Sequence, residues 1–451
     1  MTCRPDKSDW LHAWICAVAA SLATALPVTS SSSAVAASIL ASATRTTPFA
    51  STSKAEVPVP LKDNGTTELL FMTTVNNQVV KITYNAECVV TGTRGKWVSV
   101  RILVDNVEAD PASGHDFALC TAVDKTGSTW IGAARQSVFK VPMAGMHTVK
   151  VLARLNVGFL VGSGTWRLDD SSLVVETSVV KSATRTVGFQ STAAFPNDPP
   201  AALPLKQNGG KTLTFTTGKN NQLVRFSYNA ECDLVAPPAG QFVDLFFSID
   251  GGGGNPGGLG RPLCNPVDTT GRIWFGAVSQ FALKVPTAGD HTLSMFGILN
   301  TGAGTWQFDD TSIVVESGLR ASALNNTGFD SSSTAEVPVP LTGKGAETLT
   351  FKTAAANQLV TIAYSALCRI AAPRGRWVSI RVVVDGQEAH PASGHDFALC
   401  SSLQPGIYNY VTALRQSVVT VPLAGDHTVQ IFAKASAMAD WGLHFTSLVV
   451  K

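Results

Sequence analysis

The chain has 451 residues, of which 45% are hydrophobic and 15% are charged. This composition excludes a disordered polyampholyte, which has few hydrophobic residues and many charges. The 34 basic and 32 acidic residues leave a formal net charge of +2, so charge gives no argument for a nucleic-acid partner. The length corresponds to about three ordinary domains.

The N-terminal segment has the order of a secretory signal. Two basic residues precede an apolar run from Leu11 to about Val28, and Ala34-Val35-Ala36 follows as a small-residue cleavage site. The alternative is an uncleaved membrane anchor, but the run is short for a membrane span and contains Pro27. We therefore predict a signal peptide at residues 1–36, a secreted or periplasmic protein, and no membrane association after cleavage.

One sequence module occurs three times in the rest of the chain. The segment V-P-x-A-G-x-H-T begins at Val141, Val285 and Val421. The closing segment Ser-[Leu/Ile]-Val-Val begins at Ser172, Ser312 and Ser447. These landmarks predict modules at residues 42–181, 182–321 and 322–451.

Six of the eight cysteines fall two per module, always 32 residues apart: Cys88/Cys120, Cys232/Cys264 and Cys368/Cys400. Each module has to fold with its own pair, and an exported chain meets an oxidising compartment, so we predict three intramodule disulfides. Each would contribute ~3.5–4 kcal/mol in the chain-entropy model. The alternative is a cysteine metal site, but no C-x-x-C spacing occurs, so we predict neither metal nor cofactor.

Alternation of apolar and polar residues predicts strands. From Val80 to Cys88 every second residue is apolar, and the same period continues from Val98 to Val104 before a turn at Asp105-Asn106. No stripe of helical period stands out after the signal. We predict an all-β fold of three tandem antiparallel β-sandwich modules, jelly-roll-like in their strand number.

The V-P-x-A-G-x-H-T segment and the closing Ser-Leu-Val-Val strand resemble tandem β-sandwich repeats of uncharacterised exported bacterial proteins. The resemblance covers the whole chain after the signal. It implies the same sandwich fold and brings no known activity with it.

Several recurrent residues favour a structural interpretation. The module histidines each follow a glycine turn without an adjacent carboxylate common to all copies, so we predict strand-start residues rather than metal ligands or bases: His147, His291 and His427. The pairs Asp169-Asp170 and Asp309-Asp310 become His444-Phe445 in module three. We therefore predict a turn or solvated edge there instead of a calcium or acid–base site.

Aromatic residues recur at fold landmarks, and most are predicted to pack in the core: Trp130, Trp274 and Tyr410, and Trp166, Trp306 and Trp441. Trp97 and Trp377 differ, because they are out of phase with the inward valines that follow them. Module two has Phe242 at this position. Trp97 and Trp377 are our candidates for an exposed platform that stacks on sugar rings.

Modules one and three share a polar set that module two lacks. The decapeptides Pro111–Cys120 and Pro391–Cys400 are identical. The full set is Arg101, His115, Asp116 and Arg135 in module one and Arg381, His395, Asp396 and Arg415 in module three. Residues that vary together within one chain can form one ligand site, with arginine as the donor. The alternative is a surface ion cluster.

No set of nucleophile, base and orienting residue can be assembled from the sequence, so we predict a protein that is not an enzyme. The preferred hypothesis is an exported binding or surface-interaction protein whose partner is a glycan or a cell-surface protein. The alternative is a structural spacer or envelope protein whose modules pack as a pseudo-trimer. A hydrolase on a jelly-roll scaffold is the third hypothesis.

Overall fold

The alternating segments form β-strands in a computed structural model. It describes residues 39–123, 127, 129–156, 163–235, 241–253, 261–264, 273–300, 302–403 and 409–451. Within those ranges the regular secondary structure is entirely β, and no helix there has the length and hydropathy of a membrane span. The predicted signal peptide, residues 1–36, lies outside the described residues.

In the described residues, each module contributes eleven strands. Module 1 has β1 (Ile39–Arg45), β2 (Phe49–Ser51), β3 (Val57–Pro58), β4 (Glu68–Thr73), β5 (Gln78–Gly92), β6 (Trp97–Val104), β7 (Val107–Glu108), β8 (Ala118–Thr121), β9 (Ile131–Val141), β10 (Gly145–Asn156) and β11 (Gly164–Glu176).

Module 2 has β12 (Val179–Arg185), β13 (Phe189–Ser191), β14 (Ala201–Ala202), β15 (Thr212–Thr217), β16 (Gln222–Val235), β17 (Val243–Ile249), β18 (Gly252–Gly253), β19 (Arg261–Cys264), β20 (Phe275–Val285), β21 (Gly289–Leu299) and β22 (Thr305–Glu316).

Module 3 has β23 (Ala321–Asn325), β24 (Phe329–Ser331), β25 (Val337–Pro338), β26 (Thr348–Thr353), β27 (Gln358–Ala371), β28 (Trp377–Val384), β29 (Gln387–Glu388), β30 (Ala398–Ser401), β31 (Asn409–Val421), β32 (Gly425–Ala435) and β33 (Asp440–Val450).

The strands of each module form two antiparallel sheets. In module 1 the sheet on the side of the other two modules, called the inner sheet, has the order β1-β11-β5-β9, with β2 beside β11. The outer sheet has the order β3-β10-β6-β7, with β4 beside β10 and β8 beside β6. Modules 2 and 3 repeat both orders. The prediction of an all-β, antiparallel sandwich fold is therefore confirmed.

The core lies between the two sheets of each module. In module 1, Ile82 and Tyr84 of the inner sheet and Val100 of the outer sheet are completely buried. The predicted disulfides are present and join inner to outer sheets: Cys88–Cys120, Cys232–Cys264 and Cys368–Cys400. Trp166, Trp306 and Trp441 are also completely buried, as predicted for core aromatics.

The three modules close into a ring. Strand β8 of module 1 packs on β20 of module 2, β19 of module 2 packs on β31 of module 3, and β30 of module 3 packs on β9 of module 1. At two of these seams a phenylalanine ring lies against a glycine of the next module. A Cβ on Gly276 would come within 2.7 Å of Phe117, and one on Gly132 within 3.0 Å of Phe397. Contacts that run from each module to the next give a pseudo-threefold arrangement.

The axis of the ring is lined by the inner sheets. A small apolar cluster of Ala134, Val278, Ala363 and Leu414 draws on all three modules. Around it, an asparagine of one module bridges to a strand of the next. The Asn85 side chain donates to the Leu414 carbonyl at 2.8 Å and accepts from the backbone N–H of Gln416 at 3.1 Å. Side-chain amides thus replace the missing backbone pairing between modules.

A buried charge cluster closes the axis at one end. It comprises Lys81 and Glu176 of module 1, Arg225 and Glu316 of module 2, and Lys451 of module 3, all 5% exposed or less. The Lys81 ammonium lies 2.7 Å from Glu176 and 2.9 Å from Glu316, and the Lys451 ammonium lies 2.6 Å from Glu316. Burial alone would raise the pKa of Glu176, but Lys451 and Lys81 outweigh it and hold that pKa at about 2.

Neutralising one carboxylate of this cluster tests whether it holds the ring together. We expect Glu316→Gln to destabilise the protein by about 3–5 kcal/mol, because three buried cations would then face a single carboxylate. The measurement is the unfolding midpoint in guanidinium chloride. The control is Glu68→Gln, which removes the partner of Lys150 from a largely exposed pair and should cost less than about 1 kcal/mol. Equal effects of the two substitutions would contradict the account.

Candidate functional site

The outer sheets present the candidate site. Along β6, Val98 and Val100 point into the core, so Trp97 and Arg101 point away from it. Trp97 and its counterpart Trp377 are half-buried, and the indole nitrogen of Trp97 is itself buried. They differ in this from Trp166, Trp306 and Trp441, which are completely buried.

An ion network surrounds Arg101 in module 1. Its Nη1 lies 2.8 Å from Glu56 Oε1, and its Nε lies 3.0 Å from Glu108 Oε2. His115 Nδ1 lies 3.2 Å from the same oxygen of Glu56. Together with Trp97, these residues are called face 1: Trp97, Arg101, His115, Glu56 and Glu108. The two glutamates were not among the residues singled out from the sequence.

Module 3 brings the same residue types together with different pairings. Glu336 pairs with Arg381, and His395 Nε2 lies 3.0 Å from Glu336 Oε2. The Glu388 carboxylate accepts the backbone N–H of Gly394 at 2.9 Å, as Glu108 accepts that of Gly114 in module 1 at 3.0 Å. These equivalent residues are called face 3: Trp377, Arg381, His395, Glu336 and Glu388.

A polar residue connects the tryptophan to this network. Asn156 lies opposite Trp97 in the sheet. Its side-chain N–H donates to the His115 carbonyl at 2.9 Å, and its Oδ1 accepts from Arg154 at 2.8 Å. In face 3 the corresponding residue is Ser436, whose hydroxyl accepts from the Trp377 backbone N–H at 3.0 Å. Each of the two tryptophans therefore has a polar residue as its neighbour on the adjoining strand or loop.

Module 2 has a different outer surface. Phe242 takes the place of Trp97, and Phe246, which pairs with Phe296, takes the place of Arg101. The Phe242 ring lies 5.8 Å from that of Tyr410 in module 3. Phenylalanine thus stands where modules 1 and 3 have the tryptophan and the outward arginine, which makes module 2 an internal control.

In face 1 the positive charge of Arg101 is compensated by the carboxylates of Glu56 and Glu108. Burial would lower the pKa of Arg101, but hydrogen bonds and charge from Glu56 and Glu108 outweigh it and raise that pKa. Burial lowers the pKa of His115 against the opposing pull of Glu56. Arg101 already faces two carboxylates, which disfavours an anionic ligand at its guanidinium.

Arg135 and Arg415 occupy the interior rather than the surface. Both are completely buried, and their guanidinium carbons lie 4.7 and 4.4 Å from the ring centres of Phe117 and Phe397. Arg135 donates to the Pro111 carbonyl at 2.8 Å and to the Ser113 hydroxyl at 3.0 Å. These arginines therefore shape the loops that carry His115 and His395, and a ligand on the outer sheet does not reach them.

Asp116 and Asp396 are exposed and lie near carboxylates of a neighbouring module. The predicted solvated edge at the Asp-Asp pairs is wrong, because Asp170 and Asp310 are only 3% and 2% exposed. The strand register breaks between Asp169 and Ser172. At the break, Asp170 takes a positive φ of 42°. This local turn places the second aspartate in the seam between modules.

Two seams therefore hold carboxylate clusters. Burial, with Asp170 nearby, raises the pKa of Glu87 to about 9. Burial, with Asp309 nearby, raises the pKa of Asp310 to about 7, and the pKa of Glu231 is raised in the same way. Within the described ranges, no group of three or more His, Cys, Asp or Glu has a geometry that could hold a metal ion.

The module histidines lie in the interior, as expected of strand-start residues: His147, His291 and His427. Each also has a carboxylate partner that the sequence analysis missed. His147 Nδ1 lies 2.7 Å from Asp105, and the same distance separates the other two histidines from Asp250 and Asp385. This pair ties the start of β10 to the turn after β6.

Trp130 and Trp274 differ from the prediction of core packing. Both are half-buried and lie at seams. The Trp130 carbonyl accepts from the Ser401 hydroxyl of module 3, and the Trp274 carbonyl accepts from the Thr121 hydroxyl of module 1. Tyr410 is half-buried as well.

Comparison with known proteins gives only distant likenesses. No protein-family model matches the chain, and no curated protein matches it either. Among solved structures, PNGF-II is 11% identical, with 62% of this chain and 65% of that chain covered and a TM-score of 0.24. The tandem CBM22 domains of Paenibacillus barcinonensis Xyn10C are 11% identical, with 62% and 99% covered and a TM-score of 0.16.

PNGase F, a glycosylasparaginase from Flavobacterium meningosepticum, is 9% identical, with 59% of this chain and 99% of that chain covered and a TM-score of 0.21. Likenesses at this level carry no functional argument. The arrangement of residues on the outer sheets has to provide it.

The seam carboxylates give a pH dependence with a defined sign. A carboxyl with a raised folded-state pKa favours folding below its unfolded pKa of ~4, and that stability is lost as pH rises toward the folded value. For Asp310 the window is about pH 4 to 7. We therefore expect the Asp310→Asn variant to melt about 2–4 °C above the wild type at pH 8. The reason is that removing the ionisable group raises the free energy of unfolding at that pH by ~1 kcal/mol.

The measurement is the thermal midpoint at pH 4 and pH 8 by circular dichroism. The control is Asp426→Asn, which changes an exposed carboxylate on β32 and should leave the difference between the two pH values unchanged. A variant that is less stable than the wild type at pH 8 would show that the ionised carboxylate stabilises the seam.

Proposed function

We propose that the protein is an exported, non-catalytic binding protein that takes neutral carbohydrate on the outer sheets of modules 1 and 3. The observation that supports this most is the assembly of one aromatic and hydrogen-bonding surface twice, as face 1 and face 3. Module 2 has phenylalanine at Phe242 and Phe246 instead.

The chemistry of the faces fits a sugar ring. The flat C–H surface of a pyranose packs against an indole, and the hydroxyl groups exchange hydrogen bonds with planar polar side chains beside it. Trp97 supplies the indole. Arg101, four residues further along the same side of β6, and its partner Glu56 supply donors and acceptors. Because Arg101 is paired with two carboxylates, hydroxyl groups fit this site better than an acidic ligand.

Export is supported by the disulfides. Three intramodule disulfides are typical of proteins that fold in an oxidising compartment. Together with the signal predicted at residues 1–36, they favour a secreted or periplasmic protein. Its partner is then a glycan of the cell surface or surroundings, and nucleic acid has no part in the proposal.

The carboxylates of the seams do not favour the hydrolase alternative. Glycosidic hydrolysis needs a pair of carboxyl groups that flank a bound substrate. Glu231 and Asp310 are 5% and 2% exposed and are covered by the neighbouring module. Because they are buried between packed modules, a substrate has no access to them.

A purely structural role is the second candidate. The closed ring favours it, because each module contacts both of the others and the axis is filled by a small apolar cluster and by buried polar and charged side chains. The two roles differ in one respect: a spacer has no use for a duplicated aromatic face, so its tryptophans can be changed without loss of function.

Affinity electrophoresis in gels that contain xyloglucan, galactomannan, xylan or laminarin tests the proposal. We expect at least one polymer to retard the wild-type protein. The double variant Trp97→Ala/Trp377→Ala should lose most of the retardation, with a Kd about tenfold weaker, because an aromatic contact contributes up to about 1.5 kcal/mol and about 1.4 kcal/mol is a factor of ten in Kd. Phe242→Ala is the matched control and should migrate like the wild type.

Circular dichroism has to show that all variants are folded. Wild-type protein that no polymer retards would contradict the carbohydrate proposal. Retardation that survives undiminished in the folded double variant would place the binding surface elsewhere.

A further inference from the structure

The orientation of the outer sheets has a consequence for how a ligand is bound. Successive residues of a strand point to opposite faces. On β5, Ile82 and Tyr84 enter the core, whereas Lys81 and Asn85 meet the other modules at the axis. The inner sheet of each module thus has one side on the axis and one side on the core.

The outer sheet continues this order away from the axis. On β6, Val100 faces the core and Arg101 faces outward. From the axis, the layers are therefore inner sheet, core, outer sheet and ligand face. Three such modules in a ring point their ligand faces in three diverging directions, so faces 1 and 3 differ by about a third of a turn.

The seam between modules 3 and 1 fixes the angle between these faces. The Ser172 hydroxyl of module 1 donates to the Gln416 carbonyl of module 3 at 3.0 Å. Phe397 of module 3 packs on Gly132 of module 1, and Arg415 stacks on Phe397 beside it. Because the side chains of this seam are well buried, face 1 and face 3 keep a fixed orientation to each other, as two surfaces of a single domain do.

The two sites point in different directions at a fixed angle, and this geometry limits the kinds of partner that they can bind. Two linked sites give avidity on one ligand only when that ligand reaches both at once. A straight glycan chain on face 1 runs along an outer sheet that turns away from face 3. The second site is then free to bind another chain.

We propose that the protein crosslinks neutral glycan chains, with face 1 and face 3 each holding a separate chain. This inference rests on the proposed carbohydrate function and adds a valence of two and a fixed geometry to it. In the described part of module 2, Phe242 and Phe246 stand where the faces carry tryptophan and arginine, so the proposal places no glycan on module 2. The protein is therefore bivalent, with its two glycan sites held at a fixed angle.

Light scattering tests the proposal with the same four polymers, xyloglucan, galactomannan, xylan and laminarin, mixed with the purified protein. For any polymer that retards the wild type, we expect a turbidity maximum near equal concentrations of protein and polymer binding sites. Excess protein should clear it, as expected for bivalent crosslinking. Phe242→Ala should behave like the wild type.

The single variants Trp97→Ala and Trp377→Ala separate binding from crosslinking. Each keeps one face, so each should still be retarded in the gel, with a Kd within about threefold of the wild type. Neither should produce turbidity, and an equal mixture of the two should not restore it. The double variant should lose most of the retardation and all of the turbidity.

The outcomes distinguish the two proposals. If the wild type is retarded but produces no turbidity, or if a single variant still produces it at the wild-type level, crosslinking through faces 1 and 3 is wrong and binding stands. A Kd that worsens more than about a hundredfold in each single variant would show that one chain occupies both faces. If no polymer retards the wild type, both proposals are wrong.

Discussion

The buried charge cluster at the end of the axis is the interaction on which the rest of the structure depends. Five charged side chains from three modules meet away from water, and each carboxylate is in contact with lysines of two modules. Removing ions from water is expensive, and their attraction repays that cost only when every partner is in place. The cluster therefore favours the closed ring over any arrangement in which one module is displaced.

Further along the axis, uncharged polar side chains also join neighbouring modules. Asn85 and Asn229 satisfy backbone groups of the next module, and small apolar residues fill the space between the inner sheets. Because the repeats are not identical, the ring is not symmetric in its chemistry. Two seams carry an arginine stacked on phenylalanine and a carboxylate cluster. The third has Arg261, which donates to the Phe445 carbonyl at 3.0 Å.

The sequence predicts the architecture well because its signals are local. Alternation of period two identifies strands, and the constant spacing of cysteines identifies the disulfides. The site is harder to predict, because its members come from distant parts of the chain. Glu56 precedes Arg101 by 45 residues, and nothing local marks it as a partner. The partner of His147 was detectable, since an aspartate follows the same strand in all three modules, at Asp105, Asp250 and Asp385.

Small-angle X-ray scattering of residues 39–451 tests the central claim most directly, namely that three sandwich modules form one closed body. A single compact body of this length has a radius of gyration of about 22 Å, and the account predicts a value close to it that does not change with ionic strength. A radius well above this, with the scattering profile of separate modules joined by linkers, would contradict the closed ring and the fixed angle between the two faces.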